Sequence, residues 1–223
     1  MRRSPLASNS EKLSLSRLKL HSFCSATGEY HYLACILSAA SAAGWWAKDI
    51  LGGDFSFEGS VKPGENEVFF LPYLMGERSP LNDAGARALL YGMSMSTTRQ
   101  DITLAVFEGV AFALRQNLDL IRERGVKTTA ARICGGGVKN REWLKIIAAV
   151  LGIRLDIPAI QDSAALGAAL LTARGVLNSG EYETFAAAFY RSDESIYPDS
   201  ELQKKYNENY QKFLHLYPAV KNL

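Results

Sequence analysis

Cysteine and histidine are both scarce in this chain. Three of each stand among 223 residues: Cys24, Cys35 and Cys134, and His21, His31 and His215. No two cysteines have the spacing of a zinc knuckle and the histidines are scattered, which argues against a structural or catalytic zinc centre of the usual patterns. An odd number of separated cysteines fits reduced thiols in the cytoplasm better than a disulfide framework. Long hydrophobic runs are also missing. The most apolar stretch, 33–47, is shorter than the roughly 20 residues a membrane helix needs, and it is rich in Ala and Ser. No apolar signal core follows Arg2 and Arg3. Finally, neither sign of charge dominates. The 25 Lys and Arg against 23 Asp and Glu leave a net charge of +2, spread along the chain, which offers no electrostatic grip on nucleic acid.

What remains is an ordinary globular composition, 48% hydrophobic and 22% charged, enough to build a real core. Residues 1–16 are polar and patternless and are expected to be a disordered lead or remnant, ahead of one domain over 17–223. The pattern predicts a helix from Tyr30 to about Leu51, a loop from Gly52 to Asn66, and a buried strand from Val68 to Leu74. A long helix is expected from Thr98, where Thr98 and Asp101 resemble a capping box, to Gly125.

The stretch that follows alternates strand and helix. A strand over Ala131–Cys134 runs into three glycines. A helix capped by Asn140 runs to Gly152, a strand follows over Arg154–Ile157, and a helix capped by Asp162 spans Ser163–Arg174 and stops at Gly175. This order argues for an α/β core. Tyr206, Tyr210, Phe213 and Leu214 then recur at helical spacing, and this tail is expected to dock on the domain.

Gly135-Gly136-Gly137-Val138-Lys139-Asn140 is the segment with chemistry. Bare glycines let a ligand approach the main chain, and free amides at a helix start favour an anion, with a nucleotide phosphate the natural candidate. A tight turn with no ligand needs glycine too. Asn140 caps its helix and could also bond a nucleotide. Lys139 is followed by Asn, so this is not a Walker loop. Gly135, Gly137 and Asn140 approach the spacing of a dinucleotide fingerprint with Asp156 as the ribose acid, although the last glycine is missing. A dinucleotide-binding oxidoreductase therefore stands as one alternative.

A longer pattern points elsewhere. Ala88-Leu89-Leu90-Tyr91-Gly92-Met93, seven residues, then Asp101-Ile102 and Ala105-Val106-Phe107-Glu108 resembles the C-terminal signature of the FGGY carbohydrate kinases. His21–Cys24, the Tyr73–Pro80 segment with Gly76-Glu77-Arg78-Ser79-Pro80, and Ala165-Leu166-Gly167-Ala168-Ala169 resemble the family's xylulokinase members, in the same order.

The resemblance implies an α/β, actin-like ATPase (ribonuclease H-like) fold, the second of the two domains of a sugar kinase. It implies ATP, accompanied by Mg²⁺, on Gly135, Gly136, Gly137, Asn140 and Ala40, with Gly44 where some relatives use a side chain. It also implies a sugar acceptor such as D-xylulose, and a possible homodimer. The sugar-binding N-terminal domain, with its catalytic carboxylate, is absent from this chain. No catalytic residue is therefore assigned, the isolated chain is expected to be inactive, and a non-catalytic remnant is a further alternative. Arg78 is expected either to reach phosphate or to brace its loop with Glu77, Asp101 and Glu108 to be structural, and at least one of Trp45 and Trp46 to be core. Gly167 is expected to permit close helix packing.

Overall fold

The computed structural model describes residues 19–25, 28–53, 61–189 and 191–222. The expected lead at 1–16 lies outside them. The chain opens with β1 (His21–Cys24) and β2 (Tyr30–Leu33), paired antiparallel with His21 opposite Leu33 and Cys24 opposite Tyr30. The expected helix from Tyr30 is thus corrected at its start, because Tyr30–Leu33 takes its backbone partners from β1. The helix itself, α1, spans Ala40–Trp45 and widens into a π-helical turn over Trp46–Ile50.

β3 (Phe69–Leu71) is shorter than expected, since Pro72 has no amide to continue a ladder. It is buried throughout and pairs antiparallel with β4 (Leu89–Tyr91). The central support is α2 (Arg99–Arg122), 24 residues and about 36 Å long. Its capping box is complete: Thr98 Oγ1 accepts the Asp101 amide at 3.2 Å, and Asp101 Oδ2 accepts the Thr98 amide at 2.8 Å. Gly109 is what lets α2 lie against β3, because a β-carbon there would run into the Phe70 carbonyl oxygen.

β5 (Ala130–Arg132), α3 (Arg141–Leu151) and β6 (Arg154–Pro158) form a parallel βαβ unit, and β7 (Ser192–Ile196) adds antiparallel to β6. The Ile133 amide bonds the Asp156 carbonyl at 3.0 Å, which extends the β5 ladder by one residue. Asn140 caps α3 by accepting the Trp143 amide, and Gly152 closes it in the left-handed region at φ 64°.

α4 (Ser163–Val176), capped by Asp162, runs through Gly175 rather than stopping there. That glycine is not among those with positive φ, so it makes no left-handed stop. Gly167, also on α4, has no atom among the described residues within 4 Å of where a β-carbon would sit, so no close packing among them requires glycine there. α4 packs chiefly on α5 (Ser179–Phe189). The tail forms α6 (Ser200–Val220), which packs on α3, β3 and α2 as expected. Its Tyr206, Tyr210 and Phe213 surround Phe112. No helix among the described residues is long and apolar enough to cross a membrane.

Candidate functional site

The three glycines between β5 and α3 sit in three different surroundings. Gly135 has φ 93°, a conformation that side chains resist, and nothing crowds its β-carbon position. Gly137 has no positive φ, yet a β-carbon there would sit 3.0 Å from the ring of Trp143. Gly136 has neither a positive φ nor, among the described residues, a neighbour within 4 Å of its β-carbon position. Packing among the described residues makes no demand for glycine there.

Gly136–Lys139 close a turn of 3₁₀ helix, with the Val138 amide on the Gly135 carbonyl and the Asn140 amide on the Gly137 carbonyl, each at 3.2 Å. No acceptor among the described residues takes the amides of Gly136 or Gly137. Gly136 and Lys139 are exposed, while Val138 anchors the turn in the core. The Asn140 side chain is engaged in capping, its Oδ1 accepting the Trp143 amide at 3.0 Å. Its Nδ2 is left available for other contacts.

Ala40 begins α1 and is exposed, and Gly44 is exposed with open space around it. α1 and the helix that follows the loop, α3, share one packing partner, α2. Trp46 is core, with its indole N–H donating to Thr103 Oγ1 at 2.9 Å, whereas Trp45 is half-buried.

The Gly76–Pro80 turn is organised by Glu77. This buried carboxylate accepts the amides of Leu37 at 3.3 Å and Arg78 at 2.7 Å through Oε1. Burial pushes its pKa up to about 7. The bracing expected of this loop is present, but it uses the Arg78 amide, and the Arg78 side chain is exposed. The Ser79–Pro80 peptide is cis. Glu108 is buried as expected of a structural residue, accepting the Gly64 amide at 3.0 Å and the Tyr206 hydroxyl at 2.8 Å. Burial lifts it, too, to about 7.

Asp156 is not free to hold a ribose. Arg154 donates to both of its oxygens at 2.8 and 2.9 Å, and the Ser195 hydroxyl adds a third bond at 2.6 Å. Burial pushes its pKa up, but Arg154 and Ser195 outweigh that and hold it below the usual range. The dinucleotide reading loses its acid.

Trp143 was not singled out from sequence. Its position three residues after the cap, on the apolar face of α3, was the available signal.

Residues 21–176 match the FGGY family of carbohydrate kinases, C-terminal domain. The xylulose kinase of Bacillus subtilis strain 168 is 30% identical over 214 residues, covering 92% of this chain and 42% of that protein. That of Escherichia coli K12 is 30% identical over 218 residues, covering 93% and 44%. Among solved structures, a xyloylose kinase from Brucella ovis superposes with a TM-score of 0.79 at 35% identity, over 92% of this chain and 43% of that one. Glycerol kinase from Plasmodium falciparum, solved with ADP, shares the fold at a TM-score of 0.75. The chain spans less than half the length of these relatives. The α/β fold is that of the second, actin-like domain of a sugar kinase. With its residues 21–176 matched by that family's C-terminal domain, this chain belongs to the FGGY family of carbohydrate kinases as a C-terminal domain.

Proposed function

We propose that the chain is the nucleotide-binding half of an ATP-dependent carbohydrate kinase, with residues 17–223 as its nucleotide domain. The carrying observation is Gly136, which among the described residues has nothing near its β-carbon position and, like Gly137, no acceptor for its amide. Bare amides beside a helix start suit the phosphates or ribose edge of an adenine nucleotide. In this reading Gly135 supplies the turn, Gly136 and Gly137 the main-chain donors, and Asn140 a side-chain amide. Ala40 borders the nucleotide from α1.

Phosphoryl transfer needs the acceptor hydroxyl placed in line with the γ-phosphate. In this reading that task falls to the sugar-binding N-terminal domain, with D-xylulose the favoured acceptor. Mg²⁺ would enter on the nucleotide. Among the described residues no three His, Cys, Asp or Glu stand grouped to hold a metal ion.

Calorimetric titration of the purified chain with ADP tests the site. Weak binding that is lost in Gly136→Val is expected, and no heat at millimolar ADP would overturn the reading. The chain alone is expected to transfer no phosphoryl group. Joined to the N-terminal domain of a xylulose kinase, it is expected to consume ATP only when sugar is present.

A further inference from the structure

We propose that Trp143 is a positioning residue that sets the height of the glycine turn above α2, and through it the placement of the nucleotide; this rests on the reading that the turn holds one. Trp143 is held at three points, two on its indole and one on its backbone. Its Nε1 donates to the Phe107 carbonyl of α2 at 3.1 Å. Its ring stands edge-on to Phe107, with centroids 5.1 Å apart and planes at 89°. Its own amide is tied to Asn140 Oδ1 at 3.0 Å, at the end of the turn. The ring is buried, and its Cζ3 edge would lie 3.0 Å from a β-carbon at position 137, tighter than an ordinary contact.

A side chain at position 137 would therefore crowd the indole, which would have to give by a few tenths of an ångström. α2 is the longest and most buried helix described, so a ring bonded to its backbone is fixed relative to the core. Contact with that ring transmits the position to Gly137, and the Asn140 cap transmits it to the other end of the turn. A ligand bonded to main-chain amides gains only if those amides are held in place before it arrives.

Trp143→Phe tests this, because the shorter ring loses both the bond to Phe107 and the edge that meets Gly137. Binding of ADP is measured by calorimetry on the wild-type chain, on W143F, on Gly137→Ala and on the double variant. Far-UV circular dichroism and thermal melts confirm that each is folded at the assay temperature. W143F and G137A are each expected to weaken ADP binding about tenfold, and the double variant to be no weaker than either alone, since both disturb one contact.

A W143F chain with a lowered melting temperature and unchanged Kd overturns the proposal and leaves the nucleotide site standing. So do fully additive losses. Absence of ADP binding in the wild type would remove the site reading and this proposal together. If G137A does not fold, the Kd of W143F decides alone.

Discussion

The Tyr206 hydroxyl of α6 donates to Glu108 Oε1 of α2 at 2.8 Å, between residues 98 positions apart. The same oxygen accepts the Gly64 amide, and Asn209 on α6 returns a bond to the Gly64 carbonyl at 3.0 Å. One buried carboxylate thus fastens the C-terminal helix and the 61–66 segment to the central helix.

Removing the hydroxyl alone tests that fastening. Tyr206→Phe keeps the ring against Phe112 but strips Glu108 of one of its donors. A loss of about 1–3 kcal/mol is expected, because a buried polar group loses one of its hydrogen-bond donors. Urea unfolding measures it as a lower midpoint.

Stability should also fall as pH rises through the acid-to-neutral range. Burial raises Glu108 and Glu77 from 4.5 to about 7. Between those values the folded chain keeps protons that the unfolded chain has released, so ΔG of unfolding declines with pH and levels off above about 7. Glu108→Gln cannot titrate and should flatten part of that slope. Urea unfolding at several pH values from about 5 to about 8 compares the two.

Gly109→Ala is expected to be among the most damaging small changes in the chain. The added methyl meets the Phe70 carbonyl, backbone that cannot rotate away, at the contact between α2 and β3. A cost of about 3 kcal/mol or more is expected, at the upper end for overpacking. Thermal unfolding and soluble yield are the measurements.

Asn140 allows capping and ligand binding to be separated. Asn140→Ala loses the cap on Trp143 and should cost about 1 kcal/mol. Asn140→Asp keeps an oxygen acceptor for that amide, so stability should return towards the wild type. The added negative charge beside the turn should still weaken ADP binding. Thermal unfolding and calorimetric titration of the two variants read the two roles independently.

The parts of this fold that were legible in advance are those settled within a few residues. Thr98 with Asp101, Asn140 and Asp162 were all recognisable as caps, because a cap bonds an amide two or three positions away. The periodicity of α2 and α6 and the glycine turn were visible for the same reason. Tyr30–Leu33 was misassigned to a helix, since four residues are a strand only when another strand is beside them, and β1 supplies that. β7 carries Ser-Asp-Glu-Ser-Ile and has no apolar alternation to announce it; its ladder with β6 makes it a strand.

By itself, the order of residues pointed to the family this chain belongs to, to where α2, α3 and α4 start, and to the position of the glycine turn. Those properties depend on short-range sterics and local hydrogen bonds. Tertiary structure alone decided that Asp156 is spent on Arg154 and Ser195, that Glu108 answers to Tyr206, and that Trp143 lies against Gly137. Each of these depends on which distant or facing group fills a given volume, and side-chain identity is silent on that until the chain has packed.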